Sequence, residues 1–214
     1  MGKYVIAQPA VSELVVEKSR FICTLARVET EAEAQAFVKA MKKKYWDARH
    51  NCSAYIVGAD NRVERSSDDG EPGGTAGSPM LEVLRRKGLY NTAAVVTRYF
   101  GGIKLGAGGL TRTYGKSVAQ TVEKAGLAER IPMGDYTFLW SLDDVGRVLN
   151  LLYQQELFTV GDVEYSNRAR LHLIMPETDR AKAEAWLTEA LSRPVTLEEE
   201  KKFFKECRVK SDPV

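Results

Sequence analysis

Basic residues and glycines stand close together between positions 98 and 116, where they offer the groups that bind an anion. Lysine and arginine side chains donate charge-assisted hydrogen bonds to phosphate or carboxylate oxygens. Glycine permits positive φ and lets a ligand approach the backbone closely. We interpret these residues as one nucleic-acid or anion-binding surface, made of Arg98, Gly101, Gly102, Lys104, Gly106, Gly108, Arg112 and Lys116.

Three consecutive elements must position this surface: a strand, a glycine loop and a helix. Residues 92–100 are typical of a buried strand, and residues 106–125 of a long helix that ends at Gly126. The first backbone amides of a helix lack partners and lie at the positive end of its dipole, which favours an anion. Arg112 and Lys116 lie one turn apart on the polar side, so all four basic residues are expected to face outward. The alternative is a tight connection whose cations are only solvated.

Two nucleotide-binding motifs are incomplete in the same segment. Gly115–Ser117 ends like a phosphate-binding loop, but Leu110 stands where the leading glycine is required. Gly106–Gly108 begins like a dinucleotide fingerprint, but Thr111 replaces its third glycine. The sequence therefore predicts no cofactor.

A second candidate site combines a histidine with an acidic loop. His50 is followed by Asp68, Asp69 and Glu71 on a glycine turn. Such residues suit general acid–base chemistry, and three carboxylates also suit a divalent cation. The loop lacks calcium-loop spacing, and no nucleophile elbow accompanies His50. A solvated acidic turn and a capping or core histidine are the alternatives, and no metal site is predicted.

Composition excludes several classes of protein. The chain has 214 residues, 44% hydrophobic and 28% charged, which is inconsistent with disorder. No stretch approaches the roughly 20 apolar residues of a membrane span, and the N-terminus lacks a signal-peptide core. The three cysteines are scattered, which excludes a disulfide framework and metal-ligand spacing: Cys23, Cys52 and Cys207. We therefore expect a cytoplasmic protein.

Charge is distributed unevenly along the chain. Gly126 and Pro132 are residue types that commonly end helices and strands. We therefore predict one domain over 1–130 and another over 131–214. The total net charge of +2 then separates into +6 for the first domain and −4 for the second. The second has the element order β-α-β-β-α-β of a ferredoxin-like fold. Function is expected on the basic first domain.

Three segments resemble the IMPACT family, in its bacterial YigZ type. They are Arg49–Tyr55, Asp68–Gly77 and Val95–Gly106. The resemblance implies an α+β protein whose first domain is a two-layer α/β sandwich like domain two of a small-subunit ribosomal protein. It implies that the second domain resembles the last domain of elongation factor G. These folds suggest a link with translation, although fold analogy alone does not establish function.

Three functions follow from these observations. The first is a non-enzymatic, translation-linked protein that binds RNA, the ribosome or another nucleic acid through the basic surface. The second is a regulator of translation or stress response that uses the same basic surface to bind an acidic protein partner. Eukaryotic IMPACT proteins resemble translation regulators that act by binding a protein partner. The third is a hydrolase-like enzyme using His50 and the loop from Asp68 to Glu71. The family brings no established catalytic residues, and no membrane partner is expected.

Overall fold

The computed structural model describes residues 3–60 and 62–209. These residues fall into two compact units. The described parts of Met1–Arg130 and Cys207–Val214 form the first unit, and Ile131–Glu206 forms the second. The first unit therefore includes residues that the sequence places at the end of the second domain. Within the described residues, none of the helices has both the length and the apolar character that crossing a membrane requires.

The first unit is built on a five-stranded antiparallel sheet with the strand order β2-β3-β6-β4-β5. A short additional strand, β1 (Tyr4–Ile6), lies outside this sheet. The strands of the sheet are β2 (Ala10–Val16), β3 (Ser19–Arg27), β4 (His50–Val57), β5 (Val63–Ser67) and β6 (Thr92–Tyr99).

A tight turn joins β2 to β3. Val16 pairs with Ser19, so the connection contains only Glu17 and Lys18. Both have positive φ, +46° and +62°, as the two central residues of a type I′ hairpin turn require.

Helices cover both faces of the sheet. They are α1 (Glu31–Lys44), α2 (Gly77–Arg86) and α3 (Gly106–Ala125). Successive residues of a strand point to opposite faces. In β4, Ala54 and Ile56 belong to the core beneath α2 and α3, whereas Tyr55 and Val57 belong to the core with Ala34 of α1. The sheet of the first unit therefore lies between α1 on one face and α2 with α3 on the other, which gives three layers where the resemblance implies two.

The helix ends follow local signals. Thr30 is the N-cap of α1, and its side chain accepts a hydrogen bond from the Glu33 backbone N–H at 3.2 Å. Threonine is one of the residues preferred at this position, because its hydroxyl oxygen satisfies a free backbone N–H of the first turn. α3 spans the predicted residues and stops at Gly126, whose φ of +71° favours glycine.

The segment after α3 is a strand rather than a linker. β7 runs without interruption from Leu127 to Trp140. Its first residues pair with β1, and residues from Met133 onward pair with β9 (Ala169–Pro176). Pro132 lies between these two ladders, where its missing N–H removes no hydrogen bond to β1 or β9. Proline therefore does not end the strand.

The second unit has the predicted element order β-α-β-β-α-β. Its strands include β8 (Thr159–Tyr165) and β10 (Glu198–Arg208) and lie in the order β10-β7-β9-β8. That order places the first and third strands of the unit at the centre, as in the split βαβ arrangement. Apolar side chains such as Leu171 and Leu187 form its own core. Its α-helices are α4 (Val145–Leu152) and α5 (Arg180–Ala190).

Candidate functional site

Arg98 lies inside the first unit rather than on its surface. The side chain extends from β6 and is only 8% exposed. Its Nη1 donates a hydrogen bond of 2.7 Å to Oε1 of Glu71, whose side chain is 3% exposed. A buried charge needs such a partner. The expectation that Arg98 faces outward is therefore wrong, because the acidic loop folds back over it.

Glu71 is also the end of a buried hydrogen-bond chain. The Tyr114 hydroxyl of α3 donates to the same Oε1 at 2.8 Å. Cys52 Sγ lies 3.4 Å from that hydroxyl and 3.0 Å from the Asp68 carbonyl oxygen. Burial raises the pKa of the Cys52 thiol to about 12 and raises the pKa of Tyr114 as well. Cys52 is therefore a protonated structural thiol, not a nucleophile.

Asp68 organises the loop that leads into α2. Its carboxylate accepts backbone hydrogen bonds from Gly74 at 2.8 Å, Ala76 at 3.0 Å and Gly77 at 2.8 Å. Partial burial on its own raises the pKa of Asp68, but these three donors outweigh it and hold the pKa below the usual aspartate value. The charge serves the fold of the loop, because it satisfies amides at the start of α2.

We expect Asp68→Asn to lower the free energy of unfolding by about 1–3 kcal/mol at pH 7, the cost of weakening hydrogen bonds to a charged acceptor. Because the folded-state pKa is depressed, this stabilisation is present above the unfolded pKa of about 3.9 and is lost as the pH falls through the folded value. Urea unfolding at pH 7 and pH 3 should show a smaller gap between variant and parent at pH 3. The exposed Asp60→Asn should change stability by less than about 0.5 kcal/mol at both pH values. A gap that does not depend on pH would contradict this account.

The His50 side chain contacts the backbone of the acidic loop. Its Nδ1 lies 2.9 Å from the Asp69 carbonyl oxygen, and since a carbonyl only accepts, Nδ1 carries the hydrogen. The Asp69 carboxylate is engaged elsewhere, by the Asn51 backbone N–H at 2.7 Å and by Lys42 Nζ at 2.5 Å. Within 3–60 and 62–209, no group of His, Cys, Asp and Glu is placed to hold a metal ion. The second candidate site is brought together, but its carboxylates are committed to structural hydrogen bonds.

The predicted basic residues separate into two surface depressions. The first, which we call the α3 cavity, has a volume of about 330 Å³ and lies at the N-terminus of α3. Its lining includes Arg49, His50, Glu71, Arg98, Phe100, Lys104, Gly106 and Ala107. The second, the α2–α3 groove, has a volume of about 600 Å³. Its lining includes Glu82, Arg85, Arg86, Arg112, Gly115 and Lys116.

Three of the predicted glycines lie outside both depressions: Gly101, Gly102 and Gly108. Gly101 packs against the β2–β3 turn, where a Cβ would lie 2.0 Å from the carbonyl carbon of Lys18. Gly102 has a φ of +90° and open space around it. Neither these two glycines nor Gly108 line the cavity or the groove. Of the predicted glycines, only Gly106 lines either depression, and the glycines that line the groove are Gly74 and Gly115.

Arg49 and Phe100 line the cavity but are not among the predicted residues. Arg49 precedes His50 and is exposed. Phe100 follows β6 and leaves half of its surface in solvent. An aromatic residue directly after a buried strand and before two glycines was the available signal for Phe100. Arg49 begins the first of the three segments that resemble the family, which was the available signal for it.

The chain has clear relatives among known proteins. Residues 17–122 match the model of the Impact N-terminal domain. The chain is 45% identical over 192 residues to the IMPACT family member YvyE of Bacillus subtilis (strain 168), covering 87% of this chain and 85% of that protein. It is 45% identical over 134 residues to the IMPACT family member YigZ of Escherichia coli (strain K12), covering 60% and 66%. A crystal structure of a hypothetical protein matches with a TM-score of 0.59 and 31% identity over 98% of each chain. The chain therefore belongs to the IMPACT family and is of the YigZ type.

Proposed function

We propose that this protein is a non-enzymatic regulator linked to translation that binds RNA through the α2–α3 groove. Family membership supports the translational context, since eukaryotic IMPACT proteins resemble translation regulators. The observation that carries RNA binding is the charge of the groove. Four of its lining side chains are cationic and only Glu82 is acidic. Because translation takes place in the cytoplasm, the proposed function implies a cytoplasmic protein.

The groove offers two cations that are free for a ligand. Arg85 is paired with Glu64 at 2.6 Å, and Arg86 with Glu82 at 2.8 Å. Arg112 and Lys116 are exposed one turn apart on α3, and among the described residues neither forms an ion pair. Their spacing along the helix presents two positive charges in a row, which suits successive backbone phosphates.

The contacts of the acidic loop disfavour a hydrolase, because its carboxylates already have hydrogen-bond partners. Asp68 is engaged by backbone amides, and Glu71 by Arg98 and Tyr114. General acid–base catalysis with His50 needs a free group within hydrogen-bond reach. We therefore assign the acidic loop a structural role.

Replacing Arg112 and Lys116 by alanine is expected to weaken RNA binding and reduce its salt dependence. Loss of two phosphate contacts should lower the slope of log affinity against log salt by about 1.4 for a single strand. Fluorescence anisotropy with a labelled oligoribonucleotide at several KCl concentrations measures this slope. Alanine is a strong helix former, so α3 should remain folded.

The matched control is Lys39→Ala with Lys43→Ala. Both lysines are exposed on α1, which covers the opposite face of the sheet. An equal change of slope in the control, or an unchanged slope in the groove variant, would refute the proposed role of the groove. Capture of an acidic protein that survives nuclease treatment, without RNA affinity at low salt, would identify a protein partner instead.

A further inference from the structure

We propose that the α3 cavity is a separate site for the phosphomonoester group of a nucleotide. The cavity and the α2–α3 groove have no lining residue in common. The inference therefore does not depend on RNA binding by the groove. It concerns a terminal phosphate, whereas the groove is proposed to bind the internal phosphates of a strand.

The cavity is positioned at an uncapped helix N-terminus. Leu105 is the N-cap residue of the 20-residue helix α3, and no side chain caps the helix there. The first turn contains no acidic residue. Gly106 and Ala107 of this turn line the cavity. Free backbone N–H groups and the positive end of the helix dipole together favour an anion at this point.

Arg98 gives a second and independent indication of a ligand. Its side chain is more than nine-tenths buried, lines the cavity, and has an Nε without a hydrogen-bond partner. A buried donor without a partner costs free energy. The oxygen of a bound anion would satisfy such a donor. Glu71 occupies only Nη1 of the guanidinium.

The charge of the cavity favours an anion as well. Arg49, Arg98 and Lys104 supply three positive charges, and Glu71 supplies the single negative charge of the lining. Because Glu71 forms an ion pair with Arg98, the charges of the exposed Arg49 and Lys104 remain uncompensated within the lining. This balance suits the charge of about −1.5 to −2 that a phosphomonoester carries near neutral pH.

His50 narrows the class of anion. With Nδ1–H donating to the Asp69 carbonyl, the second ring nitrogen, Nε2, is the acceptor of the neutral imidazole. In this tautomer, Nε2 can accept a hydrogen bond from the P–OH group of a singly ionised phosphomonoester. A phosphodiester or a sulfate carries no such proton at neutral pH. The histidine therefore favours a terminal phosphate.

Phe100 points to a nucleotide rather than to free phosphate. Its ring lines the cavity and is half exposed, and the Arg98 guanidinium carbon lies 5.6 Å from its centroid. An exposed aromatic ring beside a phosphate site is a stacking platform for a base. The volume of about 330 Å³ lies within the range of small-ligand pockets.

Binding of AMP to the full chain tests the proposal. In amide-resolved NMR spectra, inorganic phosphate and AMP should both shift the signals of Gly106, Ala107 and Gly108, and AMP should bind more tightly. Lys104→Ala should weaken AMP binding about tenfold, which corresponds to one charge-assisted hydrogen bond. Lys39→Ala removes the same charge from α1 and should leave the affinity unchanged.

Several outcomes would overturn the proposal. These are unshifted α3 amides at millimolar phosphate and AMP, adenosine binding as tightly as AMP, or equal losses in Lys104→Ala and Lys39→Ala. Lys104 is exposed in a loop, so its replacement should not disturb folding. Two oligoribonucleotides that differ only in a 5′-phosphate identify the source of the group. Tighter binding of the phosphorylated strand than of AMP indicates an RNA end, and tighter binding of AMP indicates a free nucleotide.

Discussion

Replacing Glu71 by alanine is expected to lower the free energy of unfolding of the first unit by about 3–5 kcal/mol, because it leaves a buried guanidinium without its counter-ion. Glu71 and Arg98 are joined by a 2.7 Å ion pair whose two side chains are only 3% and 8% exposed. The Tyr114 hydroxyl loses its acceptor in the same variant.

An exposed ion pair of the same unit provides the control. Arg86 and Glu82 are joined at 2.8 Å on α2, but their side chains are 77% and 45% exposed. Glu82→Ala should therefore cost only about 0.3–0.5 kcal/mol. Hydrogen exchange of the β4 and β6 amides reports the stability of the first unit without assuming one transition for the whole chain.

A double replacement distinguishes the free-energy cost of burying an unpaired charge from the cost of losing side-chain packing. Arg98→Met together with Glu71→Leu removes both charges and fills the space with apolar groups. Such exchanges are often neutral, so the double variant should be more stable than Glu71→Ala alone. If Glu71→Ala cost no more than Glu82→Ala, or if the double variant were the least stable of the three, the buried pair would not have the importance that its geometry indicates.

Arg98 also illustrates which features of this fold are predictable from sequence. α3 was predicted over its observed residues because a helical apolar stripe and a terminal glycine are local signals. The direction of Arg98 was not predictable in the same way. Its partner lies 27 positions earlier in a loop, and no periodic pattern connects the two residues.

The division of the basic surface has a similar cause. Arg112 and Lys116 share a helix face, so their proximity follows from the helix period. Their separation from Lys104 depends on α2, which packs beside α3 and forms the groove.

Pro132 shows the same dependence on distant contacts. A proline after a helix is typical of a boundary between elements, and only the pairing of β7 with both β1 and β9 shows that a strand passes through it. Contacts between elements that are distant in sequence determine the side-chain positions and strand pairings that local patterns do not predict.

Replacing Gly101 by alanine is expected to destabilise the first unit by about 3 kcal/mol, at the upper end of the cost of forcing atoms into a packed site. The added Cβ would lie 2.0 Å from the Lys18 carbonyl carbon, 2.2 Å from its oxygen and 2.4 Å from the Ser19 nitrogen. All three are backbone atoms of the β2–β3 turn. A backbone that already has positive φ at two consecutive non-glycine residues has little freedom to move away.

Gly115→Ala is the matched replacement with the opposite expected sign. Gly115 lies inside α3, and its nearest neighbours to an added Cβ are Val83 Cγ2 at 3.7 Å and the Pro79 carbonyl oxygen at 3.9 Å, which are ordinary contacts. Alanine there should stabilise the unit by about 0.5–1 kcal/mol, because it reduces the entropy of the unfolded chain. Hydrogen exchange of the β3 and β6 amides measures both variants. Equal effects of the same sign would contradict the view that Gly101 is required by the close approach of the turn.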